Sequence, residues 1–170
     1  MTPKQYKKIG WVISGTLALG AVGFAVAIVG IDSYQHRRNQ KIIQALNPTP
    51  GTGTTLVVFF SRSGNTELMA RKIADRKQAH LMPIQSDRDK IGFTGWLQSL
   101  QDARKTDAAI TPSRIDLSAY DTIYIGSPIW LYSPAPQIFE FARNNDFSGK
   151  KVILFNSLNS KFDQQYIDNF

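Results

Sequence analysis

Leu56-Val57-Val58-Phe59-Phe60-Ser61-Arg62-Ser63-Gly64-Asn65-Thr66-Glu67 is the stretch on which the reading of this chain turns. Its first half is an unbroken run of β-branched and aromatic residues, the pattern of a strand buried on both faces, as in a parallel sheet. The run then breaks into small hydroxyl residues around Gly64, which allows a turn with positive φ. A helix is expected to begin near Glu67, capped by Asn65 or Thr66. A loop of this composition presents several backbone N–H groups at the positive end of a helix and adds the hydroxyls of Ser61, Ser63 and Thr66, the chemistry of a phosphate cradle.

Downstream, Leu68, Met69, Ala70, Ile73 and Ala74 recur at helical spacing to about Arg76. Ala79 to Gln85 reads as a second strand, with His80 a structural histidine. Trp96, Leu97 and Leu100 suggest a short helix after Gly95, and Thr111-Pro112-Ser113 ends that excursion. Tyr120 to Ser127 is another buried strand, stopped by Gly126 and Pro128 and followed by Ile129-Trp130-Leu131-Tyr132. Pro134-Ala135-Pro136 restarts a helix through Ile138, Phe139, Phe141 and Ala142, proline suiting the first turn. Val152 to Phe155 is a further strand, Asn156 to Ser160 a third loop, and a helix is expected from about Asp163. Strands alternating with helices argue for a parallel α/β sheet, whose ligands bind outside the carboxyl ends of the strands.

The chain has 170 residues, no cysteine and a formal net charge of +7. Disulfides, thiolate chemistry and cysteine metal sites are excluded, and His36 and His80 belong to no spaced ligand set. Most of the charge is N-terminal: Lys4, Lys7, Lys8, Arg37, Arg38 and Lys41 face only Asp32 up to residue 50. These cations flank Ile9 to Ile31, an uncharged stretch of about 23 positions, long enough to cross a ~30 Å hydrocarbon core. Ala25-Val26-Ala27 matches a signal-peptidase site by letter, but the apolar run continues through Ile31, so an uncleaved anchor is the expectation. The organisation read from the sequence is a basic flank (1–8), a transmembrane helix (9–31), a basic juxtamembrane segment with a Pro/Gly/Thr linker (32–54), and an α/β domain (55–170). The lysines and arginines on the two sides nearly balance, so orientation is not set by charge. Gly51 and Gly53 precede the strand instead of following it, which rules out a dinucleotide fingerprint.

Three motifs in order, Phe60-Ser61-Arg62-Ser63-Gly64-Asn65-Thr66, Tyr120-Asp121-Thr122-Ile123-Tyr124-Ile125-Gly126-Ser127-Pro128-Ile129-Trp130 and Asp146-Phe147-Ser148-Gly149-Lys150-Lys151-Val152, resemble the flavodoxin-like proteins. The resemblance runs from Leu56 to about Phe162. It implies a flavodoxin-like parallel sheet with helices on both faces, in the order 2-1-3-4-5 but with the last strand apparently absent. It also implies FMN as cofactor. Ser61, Arg62, Ser63, Gly64, Asn65 and Thr66 would hold its phosphate, Pro128, Ile129, Trp130, Leu131 and Tyr132 would flank its ring, and Asn156, Ser157 and Asn159 would meet the ring edge. The third loop departs from the family's Gly-rich form. A membrane-tethered electron carrier or FMN-dependent reductase follows, with an unidentified redox partner and the cytoplasm as the compartment where FMN is made. A cofactor-free, membrane-anchored interaction module is the alternative. No catalytic side-chain set, metal motif or nucleic-acid footprint is read.

Overall fold

A computed structural model describes residues 3–46, 50–88 and 90–158. The centre is strand β1 (Thr55–Phe60), and its buried pattern has the cause expected from its sequence. Leu56, Val58 and Phe60 point to one face, packing with Ile84, Ile123, Ile125, Ile138 and Phe141. Val57 and Phe59 point to the other, against Ala70, Ala74 and Ala79. Each fully buried side chain of this size stabilises the fold by roughly 1.5–3 kcal/mol relative to exposure.

Helix α2 (Asn65–Lys77) covers the second face. Strand β2 (His80–Ile84) returns parallel to β1, pairing Leu56 with His80 and Phe60 with Ile84. The His80 ring packs edge to face on Tyr120, in keeping with a structural role. Helix α3 (Phe93–Asp102) begins earlier than Trp96, and the following segment comes back to pair Thr111 with Gln85.

Strand β3 (Thr122–Trp130) lies parallel to β1 on its other side and runs past the stop expected at Gly126 and Pro128. Its pairing with β1 ends at Phe59 opposite Gly126, so no β1 residue lies opposite Pro128, which stays in register with Ser157 of β5 on the other side and accepts the Ala135 N–H through its carbonyl. The strand then doubles back into β4 (Ser133–Pro134), with Ile129 opposite Pro134 and Trp130 opposite Ser133. Helix α4 (Pro136–Asn144) takes Pro136 into its first turn and covers the first face of the sheet through Ile138 and Phe141.

Strand β5 (Lys151–Ser157) extends further than Val152 to Phe155 and pairs parallel with β3. The parallel order is therefore β2-β1-β3-β5, the first four positions of the doubly wound sheet anticipated from the resemblance. The helix expected from about Asp163 lies outside the described residues.

The N-terminal segment is joined to the domain by more than the linker before β1. Helix α1 (Pro3–Ala45) is continuous through the apolar run and the basic segment after it. Its C-terminal part is docked: Asp32, Asn39 and Ile43 are all buried. The return to β1 is pinned as well. Thr52 donates its N–H to the Gln78 carbonyl, and a Cβ at residue 51 would lie 2.3 Å from the His80 nitrogen, so only glycine allows that approach.

Candidate functional site

Gly64 sits at φ 90° and is the N-cap of α2, which starts at Asn65, two residues before the expected Glu67. Neither Asn65 nor Thr66 caps the helix, because both already belong to it. Gly64 has no side chain to accept from the first turn, so the Asn65, Thr66 and Glu67 N–H groups are left without an intrahelical or side-chain cap of the usual kind. Its own N–H donates to Ser61 Oγ at 3.1 Å, which closes the loop on itself.

The loop hydroxyls are individually placed. Asn65 Nδ2 donates to Ser63 Oγ at 3.3 Å. Thr66, 1% exposed, shares a hydrogen bond of 2.7 Å with Ser157 Oγ at the end of β5. That contact joins the first turn of α2 to the end of β5 across β3, residues that sequence alone could place only on a common edge.

At the second loop, Leu131 and Tyr132 adopt φ 44° and 72°, the left-handed region at both central positions of the β3–β4 hairpin. Two-residue hairpin turns favour that conformation for its twist, but bulky L-residues pay for it in strain. The turn is held from below: Ser127 Oγ accepts from the Ala135 N–H at 2.8 Å and donates to the Pro128 carbonyl at 2.9 Å. Trp130 rests edge to face on Phe60.

These loops surround a cavity of about 810 Å³, open to solvent. Of the residues singled out from sequence, Ser61, Arg62, Ser63, Asn65, Thr66, Pro128, Ile129, Trp130, Leu131, Asn156 and Ser157 line it. Gly64 does not; it lies beneath Asn39 of α1, where a Cβ would come within 2.9 Å of Asn39 Cβ. Tyr132 is exposed outside the wall, because the left-handed turn carries it past the end of the cavity. Asn159 lies outside the described residues. Asn156 and Ser157 belong to β5 itself, so the third loop starts later than the sequence suggested.

Sequence reasoning missed the contribution of α1. Asp32, 5% exposed, receives both guanidinium nitrogens of Arg62 at 2.7 and 2.8 Å and the Gly92 N–H at 2.9 Å. Asn39 Nδ2 donates to the Ser63 carbonyl at 3.1 Å and to Asn65 Oδ1 at 2.7 Å. Ile28, Ile31, Gln35 and Arg38 form part of the cavity wall. One signal was available: Asp32 is the lone acid at the end of the apolar run, and Arg62 the lone long side chain in the loop. The Arg62 charge is thus satisfied by protein.

The family model described as flavodoxin matches residues 54–166. The chain belongs to the flavodoxin family. Among solved structures, the flavodoxin domain is similar to a putative flavoprotein from Bacteroides uniformis, at 32% identity with a TM-score of 0.53 over 64% of this chain and 74% of that one. It is also similar in fold to a flavoprotein in complex with FMN from Lactobacillus acidophilus, at 24% identity and TM-score 0.54, covering 69% and 83%. No protein of curated function matches the chain. Flavodoxin-family membership accounts for the domain, while α1 up to Ala45 lies before the matched region.

Proposed function

We propose that this chain is a membrane-anchored flavoprotein that binds FMN in the cavity between its three loops and passes electrons between a donor and an acceptor. The observation that carries the reading is the N-terminus of α2 at the cavity wall, with Gly64 as a cap that has no side chain, between Ser61, Ser63 and Thr66. The residues fit the cofactor in size and kind: a cavity of about 810 Å³ is within the usual range for small-molecule sites, polar at one end and apolar at Ile129, Trp130 and Leu131. A neighbour of similar fold holds FMN.

In this reading the first-turn N–H groups of α2 and the hydroxyls of Ser61, Ser63 and Thr66 hold the phosphate. The apolar walls of the second loop flank the ring and exclude water, and Asn156 and Ser157 supply polar groups at its edge. Bound FMN would supply the one- and two-electron redox chemistry, and the protein its position and electrostatic surroundings. Arg62 acts on the loop's shape through Asp32. The helix α1 provides the anchor: Ser14–Ala45 contains a window with mean hydropathy 2.0, none of it buried against the domain.

A second reading, a cofactor-free interaction module, draws on the Thr66–Ser157 bond and the Arg62–Asp32 pair, which already satisfy two loop side chains. Titrating FMN into the full chain separates the two. Quenched flavin fluorescence with one equivalent bound is expected. Protein that stays colourless and leaves flavin emission unchanged would overturn the redox reading.

A further inference from the structure

Helix α3 is inside out for a helix on a water-facing surface. Its inward residues are Gly95, Ser99 and Asp102, all buried, while Phe93 and Leu97 point outward at 40% exposure each. Phe93 stacks on Trp96 with ring centroids 5.9 Å apart, and Trp96 in turn meets Phe24 of α1 edge to face at 6.0 Å. The exposed apolar face is therefore continuous with the apolar run of α1. Surfaces of this kind mark a contact with something other than water.

The length of α1 identifies that contact. If the domain stood clear of the bilayer up to the level of Phe24, only the stretch from Ile9 to Gly23 would remain to cross it, about 15 residues or 22 Å. A ~30 Å core needs about 20 residues, which counted from Ile9 reaches Ile28. Phe24, and with it Trp96, then lies about 6 Å inside the apolar layer, within the ~5–10 Å depth at which interfacial helices bury their apolar faces. Arg37 and Arg38 follow on the exposed side of α1, at headgroup level.

We propose that Phe93, Trp96 and Leu97 of α3 dock into the outer layer of the leaflet from which α1 emerges. Because Ile28, Ile31 and Trp96 also line the cavity, its mouth opens at the membrane surface, toward lipid-dissolved reaction partners. This rests on the anchoring of α1 proposed above. The mean depth of the domain is set by lipid contact at α3 as well as by the span.

The protein has three tryptophans, Trp11, Trp96 and Trp130, which allows each surface to be read alone. Full-length Trp11→Phe/Trp130→Phe retains only Trp96, and Trp96→Phe/Trp130→Phe retains only Trp11. Each is reconstituted into phosphatidylcholine vesicles with either ordinary or acyl-brominated chains, and the ratio of emissions cancels any quenching by bound flavin. Both tryptophans should emit at least about twofold less in brominated lipid, and Phe93→Ser/Leu97→Ser should restore most of the Trp96 emission. Quenching of Trp11 with Trp96 unaffected overturns the docking of α3 and leaves the anchor standing. Quenching of Trp96 alone supports the docking and overturns the span, and quenching of neither overturns both.

Discussion

Replacing Asp32 with alanine tests whether α1 and the loop after β1 form one structural unit. The carboxylate accepts two charge-assisted bonds from Arg62, itself 12% exposed, and one from the Gly92 N–H. Removing one partner of a buried pair costs about 3–5 kcal/mol, because the other charge stays buried without it. The residual exposure of Arg62 favours the lower end, about 3 kcal/mol, and the orphaned Gly92 N–H adds about 1 kcal/mol. At roughly 2–4 °C per kcal/mol for a chain of this size, Asp32→Ala should lower Tm by roughly 8–16 °C. Arg62→Ala should cost about 3 kcal/mol in its turn, since Asp32 keeps only the Gly92 bond. The double variant has no stranded charge, and its loss should fall about 3 kcal/mol short of the sum of the two single losses. Thermal unfolding of all four proteins by near-UV circular dichroism, in one detergent, measures the cycle. Additivity within about 0.5 kcal/mol would refute the reasoning, for it would mean a solvent-screened pair of the surface kind.

Four other outcomes follow from the same geometry. Ser63→Asp sets a carboxylate against the bound phosphate, and at about 4 Å and an effective dielectric of ~20 the repulsion of roughly 4 kcal/mol should lower FMN affinity at least a hundredfold in a fluorescence titration; unchanged affinity would remove the loop from the site. Gly64→Ala combines a left-handed φ with a Cβ 2.9 Å from Asn39 Cβ, and should cost about 1–3 kcal/mol in thermal unfolding. Thr66→Val leaves Ser157 without its partner and should destabilise by about 1–2 kcal/mol, whereas adding Ser157→Ala should recover much of that loss. Burial pulls the Asp102 carboxyl up, but hydrogen bonds from Lys105 and Arg88 outweigh it and hold the group below its ordinary value. Its contribution is thus present above the unfolded pKa of about 3.9 and lost as pH falls through the lower folded value, so the Tm gap between wild type and Asp102→Asn should close below about pH 4.

The parallel sheet was legible because β1 carries its information locally: Leu56 to Phe60 is apolar at every position, and only a strand between two helical layers buries both parities. The tight turn from β1 into α2 was legible for the same reason, its small residues lying within one turn of sequence. What escaped were features fixed by neighbours distant in the chain. Pro128 reads as a strand breaker until it is known that β1 has already ended beside it. Gly64 reads as a turn residue, and its closeness to Asn39 depends on a helix some 25 positions earlier. Tyr132 was expected at the ring because it follows Trp130, yet a turn with two left-handed residues sends it elsewhere. The docking of Asp32 on Arg62 joins a segment read as a basic juxtamembrane stretch to a loop read as site, and no local pattern encodes such a pairing.

The unbroken course of α1 from Pro3 to Ala45, with Asp32 and Asn39 fastened to the loop after β1, bears on how a partner finds the protein. A domain on a flexible leash tumbles and samples a wide range of headings before a productive collision. Here the leash is replaced by a rigid shaft, so rotation about the bilayer normal is the main freedom left in a membrane. In the membrane-anchored reading proposed above, a partner moving in the same plane would meet one latitude of the domain at every encounter, and the search would become two-dimensional with a single angle to match. Inserting a flexible Gly/Ser segment between Ile31 and Asp32 would return that lost freedom and keep Asp32, Gln35 and Arg38 at the cavity, while releasing Ile28 and Ile31 from its wall.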